Sequence, residues 1–383
     1  MADRNLLLAI RKYTRGFPFF LGLAAIGIST PAHAQTTVTL AQLEQFLSGA
    51  QKNGSADSDI AMRLSSVSLS ERLSDAQLNH LLTAFAPGRQ ATEQLEILAD
   101  ESLLADSPSA ETSTLQAPNS AAQRQMIASA TQYASYYLQH LPDFLATRVT
   151  RAFDNSPQLP DQKHSKPKII LHLASVDKEQ ITYRDGQEAL LSGAINASQP
   201  LRRSLTSRGE FGPALTTVLH DILSGSIAWN RWEWSHWEQP ERAPRLAVFR
   251  YSVPEHASHY MVDFCCYARS ENEPETHRFH QYAAYHGEIS LDPETGVVYR
   301  LTMQADLDKA APVAASTTVI EYGEVSIGGR AYFCPLRSVT TITVHSLTIQ
   351  RIDGIGLAKY LNEASFVNYH KFGSTFQILT NQP

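Results

Sequence analysis

The chain has 383 residues, 43% of them hydrophobic and 18% charged, with a formal net charge of −6. That length and balance suit a large globular core with a smaller unit beside it, and exclude a disordered or collagen-like chain. A mildly acidic surface offers no basic footprint, so no nucleic-acid partner is expected.

The first element reads as an export signal rather than a part of the fold. Arg4, Arg11, Lys12 and Arg15 precede a short apolar run, Phe17 to Ser29, and Ala32-His33-Ala34 fits the small-x-small cleavage rule. The run contains Pro18 and falls short of the ~20 apolar residues that a spanning helix needs. No later segment is long enough either, so the protein is not expected to span a membrane. No cysteine stands at the cleavage point, so a lipid anchor there is not expected. Removal of residues 1–34 would leave Gln35 first, in a periplasmic or secreted protein. It would also remove four Lys/Arg and Asp3, taking the net charge from −6 to −9.

Residues 35–106 carry helical spacing. Leu40, Leu43, Phe46 and Leu47 share one face, as do Leu78, Leu81, Leu82 and Phe85, and then Leu95, Leu98, Ala99 and Leu103. Thr39, Ser74 and Thr92 are the expected N-caps. Residues 107–119, SPSAETSTLQAPN, have the composition of a flexible linker, which would make the helical region separable from the remainder of the chain. Ser120-Ala121-Ala122-Gln123 reads as a capping box opening a longer helix to His140, with Met126, Ile127, Ala130, Tyr133, Ala134, Tyr137 and Leu138 as its apolar stripe.

Beyond Pro142 the period changes to two. FLATRVTRAF (144–153) fits either period, but its β-branched content and the preceding proline favour a strand. Strands follow at 168–176 and at 180–191, the latter folded at Asp185-Gly186. A short helix is expected over 211–223. Further strands are expected at 226–238, 246–253, 259–267, 317–327, 330–349 and 365–379. The clearest signal is YHGEISLDPETGVVYRLTMQADL (285–307), two alternating arms joined by Asp292-Pro293-Glu294-Thr295-Gly296. Proline presets φ early in that turn, and glycine can take the left-handed conformation that closes it. Short connections throughout imply an antiparallel sheet and an α+β fold.

The order of helix, strand, hairpin, short helix and long meander is similar to the periplasmic lipoprotein-carrier and outer-membrane lipoprotein-sorting (LolA/LolB-like) family. The matching pieces are helix 120–140 leading into DFLATRVTRAF, then ITYRDGQEALL, GEISLDPETGVVYRL, YGEVSIGGRAYFCP and SFVNYHKFGSTFQIL. The resemblance covers roughly residues 120–383. It implies a curved open antiparallel sheet, a half-barrel, wrapped on helix 120–140 around an apolar cavity. It further implies a non-enzymatic envelope protein that binds an acyl chain or a lipidated partner. No ligand-contacting residue of the family carries over by identity. The alternative is an envelope sensor or scaffold that binds another protein through its sheet and its N-terminal helices.

Few residues suggest chemistry. All four tryptophans, Trp229, Trp232, Trp234 and Trp237, fall in SIAWNRWEWSHW. In a regular strand Trp232 and Trp234 share one face, and Trp229 and Trp237 the other. They are either core residues or an aromatic wall for an acyl chain. In the second reading Trp232, Trp234, Phe249, Tyr251, Tyr299 and Leu301 are the ligand-contacting residues. His256, His259, His277, His280 and His286 are spaced too generically for zinc, and no metal is expected. Cys265 and Cys266 point to opposite faces of a strand. A bridge from Cys266 to Cys334 is expected in an oxidising compartment, because Cys266 continues the parity of Tyr260, Val262 and Phe264. No G-x-S-x-G, H-E-x-x-H, C-x-x-C or phosphate-loop motif occurs, so neither enzymatic activity nor a cofactor is expected.

Overall fold

The computed structural model describes residues 36–158, 169–184, 187–190, 204–205, 221, 231–241, 243–268 and 277–372. The export signal, the Asp185-Gly186 turn, Trp229 and, Asp221 apart, the helix expected over 211–223 lie outside the described residues, as does the end of the last strand. Residues 35–383 form one compact unit.

The chain opens with β1 (Thr36–Val38), α1 (Leu40–Lys52), α2 (Asp57–Leu64), β2 (Val67–Leu69), α3 (Asp75–Phe85) and α4 (Arg89–Glu101). Thr39 and Ser74 cap α1 and α3 through reciprocal bonds with Gln42 and Gln77. Thr92 is not a cap. Helix α4 starts three residues earlier, where the Asp57 carboxylate accepts from the free N–H groups of Gln90 and Ala91 at 2.9 and 3.1 Å. Leu43, Leu47, Leu64, Leu81, Leu95 and Leu98 join in one cluster, so the expected stripes meet one another.

Next come β3 (Thr112–Ser113), α5 (Ser120–His140), β4 (Phe144–Asp154), β5 (His172–Arg184), β6 (Gln187–Leu190) and β7 (Ser204–Leu205). The cap of α5 is Asn119 rather than Ser120, its side chain accepting from the Ala122 N–H at 2.9 Å. The remaining elements are β8 (Trp232–Glu238), β9 (Leu246–Val253), β10 (Met261–Tyr267), β11 (His277–Tyr282), β12 (Ala284–Leu291), β13 (Val298–Asp306), β14 (Val313–Ile327), β15 (Arg330–His345), α6 (Leu347–Asp353) and β16 (Leu357–Lys371). The ambiguous segment 144–153 is strand β4. Strand β5 runs unbroken across the gap expected near residue 178, and β11 and α6 carry no clear periodic signal.

Eleven strands form one open antiparallel sheet in the order β3-β8-β9-β12-β13-β14-β15-β16-β4-β5-β6. The fold is α+β, as expected. Strands β7, β10 and β11 form a separate small sheet. Helix α5 packs on one face of the large sheet, hereafter the inner face, through Ile127, Ala130 and Ala134. The turn of the central hairpin abuts this helix. Gly296 has φ +75°, and a Cβ there would overlap the backbone of Ser129 and Ala130, so only glycine suits both the turn and the approach.

The opposite, outer face is covered by α4 and the 3-10 turn Ser102–Leu104. Ile97 and Leu103 pack on Phe153, Leu171, Val319, Val339 and Leu361. Ion pairs frame this small apolar contact: Arg337 with Asp100, Lys359 with Glu101, and Arg151 with Glu96 at 2.5 Å. The helical region is therefore tied to the sheet by its own charged face. Nor is 107–119 a solvated tether. Strand β3 pairs with the end of β8, the Trp237 indole N–H donates to the Gln116 carbonyl at 3.0 Å, and Ser107 donates to Glu238 at 2.9 Å. Its small polar residues satisfy a sheet edge, a use that shares the composition of a linker.

The expected Cys266–Cys334 bridge is absent. Cys265 and Cys266 instead lie against each other on β10. Strand β10 belongs to the small sheet, whereas Cys334 on β15 is buried among Phe144, Ile181, Ala364 and Phe366 of the large one. Two cysteines in separate layers, packed into different clusters, are not placed to meet.

Candidate functional site

Four strands, β8, β9, β12 and β13, supply the aromatic part of the inner face. Register sets Trp232 opposite Tyr251 and Trp234 opposite Phe249. Side chains directly opposite on antiparallel strands share a face, and the rings do meet. Trp234 lies edge-on to Phe249 at 5.3 Å and Trp232 to Phe249 at 6.4 Å, while Trp232 is tilted against Tyr251 at 6.0 Å. Phe249, Tyr251 and Leu301 are buried, whereas the two indoles are only partly so.

Trp237 shares this face, contrary to strict alternation. A bulge between Trp234 and His236 inserts Ser235, shifting the parity by one, so Trp237 stands edge-on to Trp234 at 4.9 Å. The same bulge turns His236 and Glu238 outward. Tyr299 is not brought to the indoles; it packs edge-on against Phe333 of β15 at 4.7 Å.

Tyr251 has a structural duty. Its cross-strand partner is Gly287, and a Cβ at Gly287 would overlap the Thr302 carbonyl and crowd the Tyr251 hydroxyl. Where β12 and β13 lose their pairing, between His286 and Ile289, that hydroxyl donates to the Thr302 carbonyl at 2.5 Å. The ring thus crosses the glycine and replaces a ladder bond with its own. Thr302 Oγ1 in turn accepts from the Glu288 N–H at 2.7 Å.

Deeper in the wall, Asp221 is fully buried. Its carboxylate accepts from the Tyr285 hydroxyl at 3.0 Å and from the His259 N–H at 2.8 Å, and its other oxygen is 2.5 Å from His259 Nδ1. Burial, reinforced by neighbouring phenols and Asp221, pushes the Tyr251 and Tyr285 hydroxyls well above the usual phenol range. Both are neutral donors at any physiological pH. Tyr285 and Trp237 belong to the site although sequence reasoning did not place them there. Tyr285 was signalled by its place in the alternating arm; Trp237 was hidden by the bulge.

The inner face is not apolar throughout. Beyond β13, strands β14, β15 and β16 bury Thr318, Thr340 and Asn362, with Thr318 and Thr340 hydroxyls 3.2 Å apart. These buried polar side chains separate the aromatic wall on the β8 side from the apolar clusters around Ile342 and Phe144. The histidines do not gather: His280 pairs with Asp263 and His286 with Asp306, and no cluster of three metal-ligating side chains occurs among the described residues.

No family model and no curated protein matches the chain. Among solved structures it is similar to a LolA superfamily protein from Nitrosomonas europaea, at 12% identity and a TM-score of 0.25, over 64% of this chain and 94% of that one. A likeness of that score carries no argument about function, and the fold stands on the sheet described above.

Proposed function

We propose that this is a non-enzymatic binding protein of the cell envelope, periplasmic or secreted, that holds an acyl chain or a lipidated partner against the wall formed by Trp232, Trp234 and Phe249. The observation that supports it is the half-buried state of two adjacent indoles on a strand whose outer neighbour, β3, reaches only as far as Trp237. The wall therefore reaches the open edge of the sheet. Partly exposed aromatic surface beside a dry core is the lining that apolar ligands use. The residues that line it carry no general base and nucleophile in hydrogen-bonding reach of each other, which favours binding over catalysis. No helix among the described residues is long and apolar enough to cross a membrane. In the rival reading the N-terminal helices dock another protein, yet α4 already uses its packing side on the sheet.

Because every tryptophan lies within Trp229–Trp237, indole emission reports this segment alone. Titrating the protein with a long-chain fatty acid or a lipopeptide should give a saturable blue shift, reduced in Trp232→Ala and Trp234→Ala. Calorimetry should show the negative heat-capacity change of apolar burial. Emission that is already blue and does not move with lipid would remove this reading.

A further inference from the structure

The outer face of the same strands holds a cleft of about 480 Å3 that borders the wall at Trp232 and Tyr251. Its size falls within the range of ~300–1,000 Å3 typical of small-molecule sites. Residues 103–106 form one side, and β8, β9, β12 and β13 form the other, with Trp232, Glu233, Arg250, Tyr251, Glu288 and Arg300 among the lining residues. The charged part of this lining suits a polar ligand.

Arg300 decides what kind. It is 8% exposed, and its Nη2 donates to the Leu103 carbonyl, but its Nε has no hydrogen-bond partner among the described residues. Glu321 and Glu238 act on it only through space, each being held by another arginine. Its cross-strand neighbour Glu321 lies 3.8 Å from Arg337, and Glu238 is bonded to Arg72. Burial and the nearby Arg72 lower the Arg300 pKa to about 10, so the group is held charged against its surroundings. A charged guanidinium that lines a cleft and is bonded to no carboxylate among the described residues is suited to receive an oxyanion.

Around it the charges alternate. Arg250 pairs with Glu288 at 3.2 Å, and Arg231, Glu233 and Asp106 complete the lining. Three carboxylates among the lining residues, Asp106, Glu233 and Glu288, disfavour a bare anion and leave a place for a cation. We propose that the cleft binds a small zwitterion, its carboxylate or phosphate on Arg300 and its ammonium facing Glu288 and Glu233.

The test is calorimetric titration of the full mature chain with glycylglycine, O-phosphoethanolamine, acetate and inorganic phosphate. The expected result is saturable binding of one zwitterion at least tenfold tighter than of its simple anion. Comparing the two zwitterions tells carboxylate from phosphate. Arg300→Met should abolish that binding. Ser252→Trp should also abolish it, by filling the cleft from β9 while leaving the Arg300–Leu103 bond and the unfolding midpoint intact. Glu288→Gln should reduce the preference for zwitterion over anion to about twofold. If Arg300→Met does not fold, Ser252→Trp still decides whether the ligand occupies the cleft. Absence of saturable binding, or binding unchanged in Ser252→Trp, overturns the proposal. A preference unchanged in Glu288→Gln overturns the place given to the ammonium. Trp232 and Tyr251 border both the cleft and the wall, so fatty-acid binding, followed by calorimetry in the same variants, tells loss of the cleft from loss of the wall.

Discussion

On β13, Leu301 and Met303 turn inward to meet Phe249, Tyr285 and helix α5, while Arg300 and Thr302 turn outward toward the 3-10 turn at Leu103. The same alternation repeats on β14 and β15, where Ile320 faces inward and Glu321, Val339 and Arg337 face the N-terminal helices. Both faces are largely covered by helix, yet they are held differently. The inner contact is continuous apolar packing, whose strength follows buried area and tolerates small shifts. The outer contact is a small apolar patch ringed by partly buried ion pairs, in which Arg337 meets Asp75, Asp100, Glu321 and Glu363. Dry packing can leave a free wall at its margin, as at Trp232 and Trp234. A charged layer leaves instead a polar cleft, as beside Arg300.

The inner face should be most sensitive where backbone meets backbone. Gly287→Ala sets a methyl group against the Thr302 carbonyl, so β12 and β13 must separate or Tyr251 must leave. The expected cost is at least about 4 kcal/mol, in the exceptional range for a single substitution. Tyr251→Phe removes only the hydroxyl, leaving the Thr302 carbonyl without that bond. It should cost about 1–3 kcal/mol. Denaturant melts of both variants check the pair. A Gly287→Ala variant as stable as the parent would mean that the strands are not joined through Tyr251.

On the outer face the largest effect should come from stranding a charge. Arg337 contacts Asp100, whose carboxyl is pushed up by burial with Arg337 as the main opposing charge. Arg337→Met would leave that carboxylate buried without its closest counter-charge, at a cost of about 3–5 kcal/mol. The double variant with Asp100→Asn should recover more than half of the loss. If the outer contact were packing of the inner kind, the two substitutions would simply add.

How legible this was depended on how local the cause is. The hairpin at 285–307, strand β9 and the capping boxes at Thr39 and Ser74 are determined by neighbours within a few residues, and their sequence signals identify them. The α5 stripe from Met126 to Ala134 and the shared face of Trp232 and Trp234 were legible for the same reason, Tyr137 and Leu138 lying outside the described side chains. The bulge at Ser235 was not, because a single inserted residue leaves the composition of a strand unchanged while exchanging its faces. Segment 107–119 reads as a tether because serine and threonine suit a solvated chain and an edge strand equally. The Cys266–Cys334 pairing failed because parity within β10 says nothing about which sheet β10 joins. Arg300 looked like an ordinary polar position in an alternating arm. Its importance comes from Leu103, Glu321 and Arg72, brought to it from three other elements.

The smallest expected effect separates the two faces by pH. Burial alone would raise the Glu238 carboxyl, but Arg72, Arg300 and Ser107 together hold it below its usual value of 4.5. A folded-state pKa below the unfolded one means that the folded protein binds fewer protons. The stability that Glu238 contributes is therefore present above about pH 4.5 and is lost as pH falls through the folded pKa. Glu238→Gln should cost about 1–3 kcal/mol at neutral pH, and its difference from the parent should shrink on acidification below pH 5. Tyr251→Phe supplies the contrast, since its phenol stays neutral across that whole range. Its stability difference from the parent should stay constant between pH 3 and 7, measured as urea midpoints at matched ionic strength. Parallel pH profiles for the two variants would mean that Glu238 is not held by charge, and that the two faces of the sheet differ less than their residues suggest.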